Sequence, residues 1–362
     1  MINDHQIRRS LLDAYQPAII HLTENLAAAA FPLMKIYPAA MCLDKAITEG
    51  AIQPDSLVVE SSSGTMALGL AIVCQWSGHK LAIVSDPACD PMLQNRLRDL
   101  GATVEIVPKP AAVGGYQRAR LQRVEEICSA NINSWWVNQY DNTGNAEAYS
   151  IFAAQLVESL GRIDYLVGTV GSGGSICGTA AYLRMLFPGL IVVGVDTFGS
   201  VLFGQPDAPR TLRGLGNSLL PRNLVHSAFD DIHWVSAAEA YTATRELHRE
   251  TALFRGGTSG AAWVVARYYA QCHPGSRVVC LFPDDGYRYT DSIYNDRYMD
   301  ENSLWTILPQ RPRTVEFPED ARSCWSCMNW HRRNYEEVVR AGGVRRKDGP
   351  SSLAKAAFSY TP

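Results

Sequence analysis

Short β-rich runs and helix-like runs alternate through the middle of this 362-residue chain, and no other feature constrains its fold as strongly. Segments 56–59 (SLVV), 80–84 (KLAIV), 103–107 (TVEIV), 134–138 (SWWVN), 165–170 (YLVGTV), 190–195 (LIVVGV) and 277–282 (RVVCLF) read as strands. Between them lie the apolar segment 68–76 and the helix-like runs 91–100, 116–130, 146–160, 176–187, 237–249 and 261–271. Leu121, Val124, Ile127 and Cys128 share one face of the second run, and Gly101 and Gly161 stand where helices stop. Parallel strands need a crossover, usually a helix, so this order implies parallel sheets with helices on both faces.

The length suggests two lobes, and 47% hydrophobic residues supply ample core. A net charge of −3 gives no nucleic-acid footprint. No apolar run approaches the roughly 20 residues of a membrane span. The opening MINDHQIRRSLLDAYQ lacks the apolar centre of a secretory signal, so a cytoplasmic location is expected. Nine scattered cysteines then read as free thiols. From Pro309 onward the character changes, through PQRPRTVEFPED and CWSCMNWHRRNYEEVVRAGG to a basic, Ser-containing tail. Residues 309–362 read as an appendage that lies on the body, helps dimerise, or is partly disordered at its end.

Gly171, Ser172, Gly173, Gly174 and Ser175 lie between a strand and a helix. Glycines let the backbone approach an anion, the helix start supplies free N–H groups, and Ser172 and Ser175 add hydroxyls. No Lys-Ser/Thr pair completes a nucleotide P-loop, and the spacing fails both the dinucleotide fingerprint and the hydrolase GxSxG elbow. Such a turn also serves tight packing alone. A phosphate without a nucleotide points to pyridoxal 5′-phosphate, flavin mononucleotide or a sugar phosphate.

Six segments, in order between about residues 16 and 304, together resemble the fold-type II pyridoxal-phosphate enzymes of the cysteine synthase and cystathionine β-synthase family. They are residues 60–67 (ESSSGTMA), 138–142 (NQYDN), 171–175 (GSGGS), 212–216 (LRGLG), 257–262 (GTSGAA) and 281–289 (LFPDDGYRY). The resemblance implies an α/β fold like the tryptophan synthase β chain, with two lobes, each a mostly parallel sheet flanked by helices. Residues 1–34 plus 146–308 would form the larger phosphate-binding lobe, and residues 35–145 a smaller mobile lobe. A homodimer acting on a small amino-acid substrate and a small nucleophile is implied, with no nucleic-acid or membrane partner.

The family's Schiff-base lysine precedes the substrate loop, where this chain has Lys35 and Lys45. Lys45 sits among polar helix residues and fits a solvated face. Lys35 sits in FPLMKIYP, and an amine among apolar neighbours loses its proton more easily. A lysine snorkelling past such neighbours would look the same. By resemblance Lys35 bonds the cofactor and moves the Cα proton, while Ser62, Ser63, Gly64, Thr65 and Gln139 hold the substrate carboxylate. Gly171, Ser172, Gly173, Gly174 and Ser175 hold the phosphate.

Four departures stand out. Ile36 and Tyr37 follow the lysine where Asp-Arg is common. Thr65 stands where the family has an asparagine at the cofactor ring oxygen. Asp285 stands where a serine meets the pyridine nitrogen; a carboxylate there keeps that nitrogen protonated and strengthens the electron sink, unless Asp285 points away and Asp284 or water serves. Arg213 replaces a glutamine near the pocket mouth, where it could clamp an anionic second substrate or form a surface salt bridge. The implied function is β-replacement on an O-acyl or O-phospho serine with a sulfur or nitrogen nucleophile. A β-eliminating lyase or desulfhydrase is the alternative, and a catalytically silent binding paralogue the second. Cys324, Cys327 and His331 have ligand-like spacing but are one ligand short of a closed zinc site, so no metal is expected. Cys177 and Asp196 read as structural.

Overall fold

The computed structural model describes residues 11–339. The first ten residues of the expected larger lobe, and the basic tail from residue 340, lie outside the described residues. Twelve strands are described: β1 (Ala18–His21), β2 (Leu26–Ala30), β3 (Leu57–Ser61), β4 (Lys80–Ser85), β5 (Thr103–Ile106), β6 (Ser134–Trp136), β7 (Tyr165–Thr169), β8 (Ile191–Asp196), β9 (Asp231–Trp234), β10 (Val278–Phe282), β11 (Arg313–Thr314) and β12 (Ser326–Asn329). Among the described residues no helix is long and apolar enough to cross a membrane.

Eight strands make the larger sheet, ordered β1-β2-β10-β7-β8-β9-β12-β11, and four make the smaller, ordered β5-β4-β3-β6. All pairings in the smaller sheet, and those from β2 through β9 in the larger, are parallel. Both faces of the larger sheet are covered. Val278, Cys280 and Phe282 of β10 enter one core while Val279 and Leu281 enter the other. This two-sided burial is why these strands are continuous apolar runs.

Three local features differ from the sequence reading. The strand 134–138 stops at Trp136, and Asn138 takes a left-handed backbone with φ 52°. The run 146–160 is two helices, Gly144–Glu147 and Tyr149–Leu160. The strand β2 (LAAAA) gave no β signal because alanine is depleted in strands. All five of its residues are buried between helical layers, where small side chains let both layers approach.

Residues 309–339 lie on the body and extend its larger sheet. β12 pairs antiparallel with β9 and covers that edge. Trp325 N donates to Glu239 Oε1 at 2.6 Å, and its indole Nε1 donates to His233 Nδ1 at 3.0 Å. Burial pushes His233 down to about 3, so its ring is neutral and can accept that bond.

Candidate active site

Because β2, β10, β7 and β8 are adjacent and parallel, their carboxyl ends open on one edge, where open α/β sheets place ligands. The segment after β2 carries Lys35, that after β10 carries Asp284 and Asp285, and that after β7 carries the glycine loop. Met34 N donates to Pro283 O at 2.8 Å, and Leu33 bridges Asp284, so the lysine segment lies against the aspartates.

Lys35 caps the helix Ile36–Thr48. Its backbone is pressed by the helix Thr65–Ser77, where a Cβ on Gly69 would stand 2.7 Å from Lys35 O. Among the described residues its amine makes no hydrogen bond or ion pair. Burial draws the amine down to about 8, against the pull of the Cys42 thiol and Glu60 carboxyl. Lys45, by contrast, pairs with Glu147 at 3.0 Å at the surface.

The glycine loop opens the 13-residue helix Gly174–Leu186. Gly173 has φ 84°, and a Cβ there would meet Leu224 Cα at 2.6 Å; one on Gly174 would meet Asn145 Oδ1 at 2.4 Å. Only glycine fits both positions. Ser172 is buried, with its hydroxyl 3.3 Å from the Asn145 Nδ2 donor, and Ser175 is half-buried in the first turn. Gly171 O accepts from Asn217 Nδ2 at 3.5 Å. The result is a glycine-rich helix start, a position suited to a phosphate.

Residues 60–67 leave β3 and start the helix Thr65–Ser77. The Ser62 hydroxyl accepts from Gly64 N and Ala67 N, both at 3.2 Å, leaving its own proton to donate. Ser63, Gly64 and Thr65 are half-buried at the helix start. Gln139 sits beside them, its Nε2 donating to Ser61 O at 3.0 Å and its backbone N to Glu60 Oε2 at 3.1 Å. Glu60 is fully buried, and burial pushes it up to about 7 against the hydrogen bonds it accepts from Ser61 and Gln139.

Arg120 had no distinguishing sequence signal. It is buried on the helix Gly115–Ala130, pairs with Asp86 at 2.9 Å, and donates to the Ser63 hydroxyl at 2.9 Å. It thereby fixes one hydroxyl of the expected substrate loop. Asn145 and Asn223, which bracket the glycine loop, were likewise missed.

The two aspartates differ in environment. Asp285 Oδ1 accepts from Tyr287 N at 3.1 Å, and the residue is half-buried. Asp284 is buried; its Oδ2 accepts from the Tyr289 hydroxyl at 2.7 Å, and its Oδ1 has no partner. Burial raises Asp284 to about 6, offset by Arg288 and the Tyr289 bond. Arg213 is exposed and, among the described residues, forms no salt bridge. No cluster of three or more metal-ligating side chains occurs among the described residues; Cys324 is exposed and both Cys324 and Cys327 are free thiols. Cys177 is buried, and Asp196 is buried with Oδ1 accepting from Thr197 N at 2.8 Å.

An easily deprotonated amine, a glycine-rich helix start, and buried polar atoms that have no partner among the described residues at Asp284 Oδ1, Thr258 Oγ1 and Ser259 Oγ fit a phosphorylated aldehyde cofactor.

Comparison with known proteins agrees with that fit. The family model described as pyridoxal-phosphate dependent enzyme matches residues 34–284. N-(2-amino-2-carboxyethyl)-L-glutamate synthase of Cupriavidus metallidurans is 38% identical over 272 residues, covering 74% of this chain and 80% of that protein. The protein of the same name from Ralstonia nicotianae is 37% identical over 269 residues, with the same coverage. Among solved structures, the O-acetylserine dependent cystathionine beta-synthase from Helicobacter pylori superposes with TM-score 0.72 at 26% identity, covering 80% of this chain and 98% of that one.

Proposed function

Since the chain belongs to the pyridoxal-phosphate dependent enzymes and is a fold-type II member, we propose that it catalyses β-replacement on an activated serine with an amine nucleophile. The carrying observation is Lys35, whose amine, unpaired among the described residues, is drawn down to about 8 by burial, so that an appreciable fraction is neutral near physiological pH, and which follows β2 at the edge it shares with β10 and β7. The name of the two relatives describes a 2-amino-2-carboxyethyl group on the nitrogen of glutamate. That group is the Cα–Cβ portion of serine, which favours nitrogen over sulfur as nucleophile.

In this reading Lys35 would hold the cofactor through its amine, the loop Gly171, Ser172, Gly173, Gly174 and Ser175 would hold its phosphate, and Asp285 or its buried neighbour Asp284 would serve its ring nitrogen. When bound, the cofactor withdraws electrons from the substrate Cα. The Ser62 and Ser63 hydroxyls, the Gly64 and Thr65 backbone and the Gln139 amide orient the substrate carboxylate. Once displaced from the cofactor, the Lys35 amine accepts the Cα proton. The bond from Cβ to the O-acyl or O-phospho group breaks with its electron pair, the incoming amine forms a C–N bond at Cβ and gives up a proton, and Lys35 returns its proton to Cα. Arg213, exposed and without an ion pair, suits a carboxylate on that amine. Closure of the smaller lobe, residues 35–145, would exclude the water that diverts such reactions to elimination. The working form in this reading is a cytoplasmic homodimer.

The test is product analysis. Purified holoenzyme given O-phosphoserine or O-acetylserine and an amino acid should yield a product joining the two through a new C–N bond. Pyruvate and ammonia alone, with every amine and thiol offered, would reject replacement in favour of elimination.

A further inference from the structure

The substrate loop and the phosphate loop leave strands of different sheets, yet one residue joins them. Gln139 commits its backbone N–H to Glu60 Oε2 at 3.1 Å and its side-chain Nε2 to Ser61 O at 3.0 Å. Its backbone oxygen accepts from Asn145 Nδ2 at 2.7 Å and from Asn223 Nδ2 at 3.0 Å. Both asparagines are almost wholly buried, at 0% and 1% exposure. Asn145 Nδ2 also lies 3.3 Å from the Ser172 hydroxyl, while Asn223 holds Asn142 O at 3.1 Å. The glycine loop closes directly on this pair, with the Gly174 Cβ position against Asn145 Oδ1 and the Gly173 position 2.9 Å from Asn223 O.

Asn145 donates to that carbonyl and to the Ser172 hydroxyl and cannot move without moving both, while Asn223 donates to the carbonyl and abuts Gly173 through its own backbone. Asn138, immediately before, is held at φ 52°, an uncommon conformation for a residue other than glycine. A kink at that point aims the Gln139 carbonyl at the two amides rather than along β6.

We propose that Asn145 and Asn223 are positioning residues which couple the substrate-carboxylate loop to the phosphate loop through the Gln139 carbonyl. This rests on the reading that residues 62–65 hold the substrate carboxylate. Such coupling is reciprocal: an amino acid in the carboxylate loop tightens the cofactor, and the cofactor's phosphate tightens the amino acid.

The test uses holoenzyme and L-alanine, which has no β leaving group. Two quantities are read: the change in cofactor absorbance on adding alanine, and the equilibrium affinity for cofactor, titrated with and without alanine. The wild-type protein should show the absorbance change and bind cofactor about 5- to 10-fold more tightly with alanine, in the usual range of coupling between sites. Asn145→Asp and Asn223→Ser should still give the absorbance change while that tightening falls toward 1-fold. Whichever of the two keeps the wild-type far-ultraviolet spectrum and melting point carries the test. Tightening of wild-type size in that variant would overturn the proposal, as would a wild-type protein that binds alanine without any gain in cofactor affinity. A wild-type protein showing no absorbance change with any amino acid would instead count against the carboxylate-loop reading.

Discussion

Gly69 faces the carbonyl of Lys35 so closely that a methyl group there would lie 2.7 Å from its oxygen. The helix Thr65–Ser77, which begins at the proposed substrate loop, therefore sets the backbone of the proposed cofactor lysine. Gly69→Ala should force the two helices apart, at about 1–3 kcal/mol for overpacking. Urea unfolding should report that loss, and the remaining folded protein should bind cofactor more slowly than wild type. An unchanged cofactor-binding rate would show that the Lys35 backbone tolerates displacement.

Removing Arg120 should damage the substrate loop more than the cofactor site. Asp86 and Arg120 are both buried, so Arg120→Ala leaves an uncompensated carboxylate, at a cost of about 3–5 kcal/mol. The double variant Arg120→Met with Asp86→Leu removes both charges and should recover most of that stability. It still lacks the donor to Ser63, so KM for the serine-type substrate should remain raised while cofactor affinity stays near wild type. Steady-state kinetics beside cofactor titration separates the two effects.

Stability should respond to pH in two opposing windows. Glu60 and Asp196 are raised to about 7 and Asp284 to about 6, so between the ordinary carboxyl range and those values the folded chain binds more protons than the unfolded chain. These three groups therefore make stability fall as pH rises through that interval, while His233, lowered to about 3, works against them up to its ordinary value of 6.5. The Lys35 amine in the apo-protein is lowered to about 8, so between there and its ordinary value of 10.5 the unfolded chain binds more protons and this residue contributes stability as pH rises. Glu60→Gln should flatten the acidic slope, measured from urea midpoints between about pH 5 and pH 7. Cofactor uptake by apo-protein should accelerate up to about pH 8 and then level, because the neutral amine is the reactive form.

The C-terminal segment should be part of the folded unit. Trp325 is buried, and its two N–H groups are held by Glu239 and His233. Trp325→Ala should destabilise the protein by about 3–5 kcal/mol, seen in chemical denaturation. Cys324→Ser, at an exposed thiol, should leave the midpoint unchanged, and metal analysis of the wild-type protein should find no stoichiometric zinc.

Parts of the candidate site stood out in the residues themselves. The glycine loop did so because glycines let a backbone approach its neighbours closely, and at Gly173 and Gly174 those neighbours are Leu224 and Asn145. The parallel sheets followed from the alternation of strands and helices, since β-branched runs such as that of β8 have one sensible structure. Other parts depended on tertiary contacts with no local trace. β2 is four alanines after a leucine, a strand only because layers close on both of its faces. Arg120 sits among other arginines on one helix, and only its meeting with Asp86 and Ser63 marks it. Asn145 and Asn223 are 78 positions apart and acquire meaning at a carbonyl that neither adjoins in sequence. The segment around Trp325 looked like an appendage because its pairing partner, β9, lies about ninety residues earlier.

The most direct measurement is borohydride reduction of the protein loaded with pyridoxal 5′-phosphate, followed by proteolysis and mass spectrometry. A pyridoxyl group on the peptide containing Lys35, with none on that containing Lys45, is the expected result. A pyridoxyl group on any other lysine, or none at all after loading, would contradict it.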